Sequence, residues 1–177
     1  MLLALTGCAT RTPAVAVPPP PPPPAEAATL QAAPPGMTRL YILRPGISDA
    51  GRADSPMVLV DGQEVAELGH RGFSSVALPP GARELSLRPG RHDARGWAAR
   101  LRFRAAPGEI LFLAVLREVD SGAPALPAAP VSLAPLPGAS ARAGGVSFEF
   151  MRQIDALPML PALQFARPQV ERIGARP

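Results

Sequence analysis

Hydrophobic and polar residues alternate in short runs through the middle of the chain, as expected of strands with one buried face. In the clearest run, residues 97–104, the side chains of Trp97, Ala99, Leu101 and Phe103 fall on one face and three arginines on the other. Residues 109–116 are almost entirely apolar, which predicts a central strand buried on both sides, although a buried helix would give the same run.

Turn sequences separate these runs at intervals of about ten residues. Asp61-Gly62 stands between two short apolar runs, and this dipeptide favours a tight hairpin because both residues tolerate positive φ. Turns rich in proline and glycine follow residues 44, 78 and 105. Strands and helices do not alternate, so we predict an all-β fold, a small antiparallel β-sandwich or barrel of about seven short strands.

The same pattern divides the chain into segments. Residues 1–7 are interpreted as the end of a lipoprotein signal peptide, and residues 8–36, with seven consecutive prolines, as a disordered proline- and alanine-rich tether. Residues 37–153 are the predicted β domain, with a Pro/Ala/Gly loop at 121–145. Residues 154–177 are an apolar tail interrupted by prolines, which packs loosely over the sheet, or else covers an exposed edge strand or docks on a partner.

Leu5, Thr6, Gly7 and Cys8 resemble the lipobox of bacterial lipoproteins, in which the cysteine receives a diacylglycerol thioether and becomes the first mature residue. Acyl chains at Cys8 would hold the protein on a membrane. The apolar stretch before Cys8 is short and uncharged compared with the roughly 7–15 apolar residues of a signal peptide. We therefore interpret Met1 as lying within a longer signal peptide; a chance match is the alternative.

Four stretches of the β region carry a further resemblance: "RLYILRPG", "MVLVDGQEVAEL", "VALPPGARELSL" and "RFRAAPGEILFLAV", within residues 38–118. They resemble a family of small bacterial lipoproteins with an uncharacterised all-β domain, and the hairpin resembles the PEGA repeat of bacterial surface proteins. The chain departs from the family at Arg83, where histidine is common, and at Ile110 and Leu111, which replace an aromatic pair. The resemblance implies no catalytic residue.

Composition narrows the possible partners. All 18 basic residues are arginine and the net charge is +4, which reflects either codon bias toward GC-rich DNA or selection for anion binding. The arginines are scattered, without zinc-finger spacing or a basic helix, so we expect no nucleic-acid partner. The single cysteine excludes an intramolecular disulfide and a cysteine-based zinc site.

Arg100, Arg102 and Arg104 are the candidate binding residues, because three guanidinium groups about 7 Å apart on one strand face suit an anionic polymer. A solvated outer strand face is the alternative.

Other polar residues give weaker signals. His92-Asp93 and His70 lack the remaining ligands of a metal site, and Ser74-Ser75 lacks a nucleophile-elbow motif. Asp61, Glu64 and Glu67 match no calcium loop and are interpreted as a solvated face. We therefore predict no enzyme activity, no cofactor and no metal.

Together these patterns predict a lipoprotein of the bacterial cell envelope, held in a membrane by acyl chains such as palmitate at Cys8. Ala9 stands where enteric-type bacteria use aspartate to retain lipoproteins at the inner membrane, so we expect the outer membrane, facing the periplasm. The expected role is non-catalytic docking on an envelope protein or structural support. The alternative is binding of a glycan or another anionic envelope polymer through Arg100, Arg102 and Arg104.

Overall fold

The computed structural model describes residues 30–46, 54–90, 97–117, 130–143 and 145–174. These residues form eleven strands, one short α-helix, α1 (Gln153–Ala156), and a 3₁₀ helix (Leu157–Ala162). The strands are β1 (Thr38–Leu43), β2 (Met57–Val60), β3 (Gln63–Glu67), β4 (Gly72–Leu78), β5 (Gly81–Arg88), β6 (Ala99–Ala105), β7 (Ile110–Arg117), β8 (Val131–Ser132), β9 (Ser140–Ala143), β10 (Val146–Met151) and β11 (Gln164–Phe165).

The strands form two separate sheets rather than one closed sheet. Sheet A has the order β11-β4-β1-β7-β10-β9, and sheet B has the order β3-β2-β5-β6-β8. The protein is all-β as predicted, but the expectation of purely antiparallel sheets is wrong, since β1–β7, β4–β11 and β6–β8 are parallel. Parallel neighbours need a long crossover, and the chain between β1 and β7 supplies it by passing through sheet B.

The two sheets share one hydrophobic core, to which strands of both contribute. The face predicted for β6 is confirmed, because Trp97, Ala99, Leu101 and Phe103 are buried. The hairpin between β2 and β3 is also confirmed: Asp61 and Gly62 have φ values of 51° and 83°, the left-handed pair that a two-residue turn of this type requires.

A second apolar cluster lies on the outer face of sheet A. It contains Tyr41, Phe73 and Phe112, and the rings of Tyr41 and Phe112 stack with their centroids 5.1 Å apart. On one side it is covered by α1 and the 3₁₀ helix, and Leu30 packs against it from the N-terminal segment. Strand β7 is therefore buried on both faces between β1 and β10, as its apolar sequence predicts.

The segment predicted as a loop at 121–145 contains structure in its described residues. β8 pairs with β6, and β9 pairs with β10. Neither strand shows apolar alternation, since their residues are alanine, serine, valine and arginine. Pairing with strands already in place determines their conformation, which local sequence preference does not reveal.

The C-terminal strap, defined here as residues 164–174, covers the open side of β4. β11 pairs with Gly72 and Phe73, and Arg172 forms a bridge with Ala77. The strap also reaches sheet B, where its Gln169 N–H donates to the carbonyl of Val65 at 2.6 Å. It therefore closes the edges of both sheets on this side, as expected if the tail covers an edge strand.

We predict that Ile173→Ala lowers the free energy of unfolding by about 2–5 kcal/mol, because it leaves a cavity where the strap enters the core. Ile173 is 1% exposed, whereas Ile154 on α1 is 72% exposed. Ile154→Ala is therefore the matched control and should change stability by less than about 0.5 kcal/mol in urea unfolding. Equal effects of the two substitutions would show that the strap contributes no more than a surface residue.

Burial raises the pKa of the Tyr41 phenol above its usual 10.0, although its hydrogen bond to Gln31 and the charge of Arg39 oppose this. The contribution of Tyr41 to the free energy of unfolding should thus be constant below about pH 10 and fall as the pH rises further, because the tyrosine of the unfolded chain ionises first. Tyr41 is the only tyrosine, so the ultraviolet absorbance of tyrosinate follows this one group, and the chain has no lysine that would titrate in the same pH range. Tyr41→Phe should abolish this fall in the free energy of unfolding. An absorbance titration of the folded protein with the same midpoint as that of the unfolded chain would contradict the prediction.

Candidate functional site

The three predicted arginines lie together on the outer face of sheet B. Residues of β6 alternate strictly, so the apolar set points into the core and Arg100, Arg102 and Arg104 are exposed. β5 lies on one side of this strand and β8 on the other, and Ser132 of β8 is the register partner of Arg102. The structure therefore groups the three guanidinium groups on one face, as their spacing predicts.

The three arginines differ in their partners. The Nε of Arg102 donates to Oε2 of Glu84 at 3.0 Å, across the β5–β6 pair. Arg100 and Arg104 instead lie opposite Ser86 and Ala82, and within the described ranges neither forms an ion pair. The exposed Arg102–Glu84 pair contributes little to stability. Two of the three positive charges are thus available to an external anion.

Asp61 differs from its predicted place on a solvated face. Its carboxylate is buried against Arg83, with Nη1 of Arg83 and Oδ2 of Asp61 2.8 Å apart and their side chains 7% and 3% exposed. Arg83 also donates to the carbonyls of Pro79 and Pro80, at 2.9 and 2.8 Å. Oδ1 of Asp61 accepts the N–H of Glu84 at 3.0 Å. The prediction was wrong for Asp61 because the residue that covers it is distant in sequence.

The Asp61–Arg83 pair joins two turns. It holds the β2–β3 turn against the Pro79-Pro80-Gly81 turn between β4 and β5. A buried charge pair with both carboxylate oxygens hydrogen-bonded is costly to break, since loss of one partner leaves the other charge unpaired. The pair therefore fixes the position of β5, and through it the neighbouring arginine face on β6.

A second polar group that the sequence did not reveal lies at the end of the core beside Trp97. The indole Nε1 of Trp97 donates to Oδ2 of Asp54 at 3.1 Å, and Arg117 also pairs with that oxygen. The guanidinium carbon of Arg44 lies 4.8 Å from the centre of the Trp97 ring, and its Nη1 donates to the carbonyl of Leu68 at 3.0 Å. Arg117 is paired with a carboxylate, and Arg44 is held by the indole ring and backbone carbonyls, which is typical of a structural network.

The remaining candidates do not converge on one site. Cys8, His92 and Asp93 lie outside the described residues, and His70 lies in a turn, as predicted. Ser74 and Ser75 are buried in β4. Glu64 pairs with Arg88 on the surface. Within the part of the chain that the structure describes, no group of three His, Cys, Asp or Glu side chains could hold a metal ion.

Comparison with known proteins gives no assignment. No family profile matches the chain, and neither the curated proteins nor the solved structures that were searched contain a match. The resemblance to small envelope lipoproteins therefore stays a prediction. Among the described helices, none has both the length and the apolar character needed to cross a bilayer.

Proposed function

We propose that the protein is a lipoprotein of the bacterial envelope, anchored through Cys8 in the outer membrane and facing the periplasm. Its two sheets act as a β-sandwich that carries out no chemistry and docks on another envelope protein. The described serines of β4 are buried and five of the nine described carboxylates are paired with arginines, so the surface suits recognition rather than catalysis.

The observation that carries the proposal is the attachment of the N-terminal segment, residues 30–37, to sheet A. The N–H of Gln31 donates to the Tyr41 hydroxyl at 2.7 Å, and Leu30 packs against the second apolar cluster. Residues 30–36, predicted as the last part of the tether, thus belong to the folded body. A proline-rich arm that begins at Cys8 would join the body at this fixed point, which gives an anchored domain a defined orientation.

Strand β9 is the edge that we propose for docking. The strap covers the opposite side of sheet A, whereas among the described strands none pairs with the outer edge of β9. Phe150 N–H donates to the carbonyl of Ala139 and Ala141 is opposite Phe148, so alternation directs the N–H of Ser140 outward. A partner strand can hydrogen-bond to such an edge.

If Cys8 carries the lipid anchor, as we propose, Cys8→Ser should abolish acylation of the protein. The chain is expressed in a bacterial host behind its genomic upstream sequence, and a clickable palmitate analogue is used to label it. We expect the label and the membrane fractionation of the wild type to be lost in Cys8→Ser, because only a thiol accepts the diacylglycerol group. Thr6→Ser is the control, since it keeps both the thiol and a small residue in the lipobox, and it should be labelled like the wild type. Unlabelled wild-type protein would contradict the proposal.

The exposed arginines favour a second candidate function, binding of an anionic envelope polymer. Its support is the absence of ion pairs at Arg100 and Arg104 within the described structure, next to the paired Arg102. Guanidinium groups on an exposed strand can contact phosphates or carboxylates of such a polymer. Affinity of this kind would fall steeply with salt.

Two variants distinguish protein docking from polymer binding. Ser140→Pro removes an outward N–H without removing a bond to β10, so it should reduce retention of a protein partner from envelope extracts at least about tenfold. The triple variant Arg100→Gln/Arg102→Gln/Arg104→Gln should retain a protein partner within about twofold of the wild type. If the ligand is instead an anionic polymer, the same variant should no longer bind it. Loss of binding in the arginine variant alone would replace docking by polymer binding.

A further inference from the structure

A groove of about 350 Å³ lies on the outer face of sheet A, away from the β6 arginines. It is bounded by the N-terminal segment at Gln31 and Pro34 and by the C-terminal strap. Its floor is formed by Arg39 of β1 and by Ser75 and Ala77 of β4. Its volume lies at the lower end of the range of about 300–1,000 Å³ that small-molecule sites occupy.

The groove exists because the strap leaves β4 and returns to it. Phe165 pairs with Phe73 and Arg172 pairs with Ala77, so seven residue steps of the strap span four steps of β4. The strap therefore has three residues more than a continuous strand pairing needs. In this bulge the strap leaves β4 and turns toward sheet B, where the Gln169 N–H donates to Val65, and Arg167 and Arg172 line the groove.

Polar groups in the groove have unused hydrogen-bonding capacity. The Nε of Arg39 is buried and has no hydrogen-bond partner among the residues that the structure describes. The N–H of Ala77 donates to the strap at Glu171, and the alternation of β4 therefore directs the N–H of Ser75 to the same side. Because the strap bulges there, it makes no backbone hydrogen bond to Ser75 in the described structure. Buried donors without partners are rare in folded proteins and indicate a place for an acceptor.

The charges specify the acceptor. Among the described lining residues, Arg39, Arg167 and Arg172 occur with a single carboxylate, that of Glu171, which leaves two positive charges. A phosphate monoester carries about −1.5 to −2 at neutral pH, with three acceptor oxygens. Arginine forks match such oxygens in geometry as well as in charge.

We propose that this groove binds the phosphate group of a small phosphate ester, with Arg39 as the central donor. The inference does not depend on the proposed function.

Titration calorimetry of the full chain with inorganic phosphate tests the proposal at constant ionic strength. We expect saturable 1:1 binding to the wild type, weakened at least about tenfold in Arg39→Gln and in Arg167→Gln/Arg172→Gln, since each substitution removes charged donors. The second variant changes only exposed residues, so it should fold even if Arg39→Gln does not. Arg100→Gln/Arg104→Gln removes the same charge from sheet B and should bind phosphate within about twofold of the wild type.

The outcomes separate the alternatives. Absence of saturable binding, or an equal loss in the Arg100→Gln/Arg104→Gln control, would overturn the proposal, because the charge alone would then account for any effect. Acetate binding as tight as phosphate binding would overturn the assignment to a dianion. Glycerol phosphate and vesicles that contain phosphatidic acid distinguish a soluble ester from a lipid headgroup, and binding of either one supports a phosphate site.

Discussion

The burial of β1, β4 and β7 on both faces is the constraint on which the rest of the structure depends. One face of these strands contributes to the core shared with sheet B, and the other presents residues such as Tyr41, Phe73 and Phe112. This second apolar face has to be removed from water, and the chain uses its two ends to do so. Residues 30–37 cover it on one side, while α1, the 3₁₀ helix and the strap cover the other.

This arrangement also explains where polar groups collect. The coverings come from opposite ends of the chain and do not meet, so a groove remains between them with Arg39 in its floor. On sheet B nothing in the described structure covers β6, and its arginines remain exposed. The two arginine groups therefore differ in kind: the one on β6 is a flat face that suits an extended polymer, whereas the groove suits a single small group.

Sequence reasoning predicted the features that local patterns determine. The bounds of β2, the Asp61-Gly62 turn and the buried face of β6 follow from alternation and turn chemistry. The parallel pairs and the short strands β8, β9 and β11 do not, because contacts between distant segments determine them. The Asp61–Arg83 pair was missed for the same reason. The position of Arg39 in a groove could not be predicted either, because the strap that borders the groove is distant from Arg39 in sequence.

The bulge in the strap has a consequence for how this surface can vary. Its two ends are held by backbone hydrogen bonds to Phe73 and Ala77, which do not depend on the identity of a side chain. Between these fixed points, Ala166 and Val170 pack against the core and the Gln169 N–H donates to Val65, whereas Arg167 and Pro168 line the groove, as residues of binding loops do on other β-structured scaffolds. Substitutions at Arg167 and Pro168 can therefore change what the groove selects while the fold beneath it stays constant.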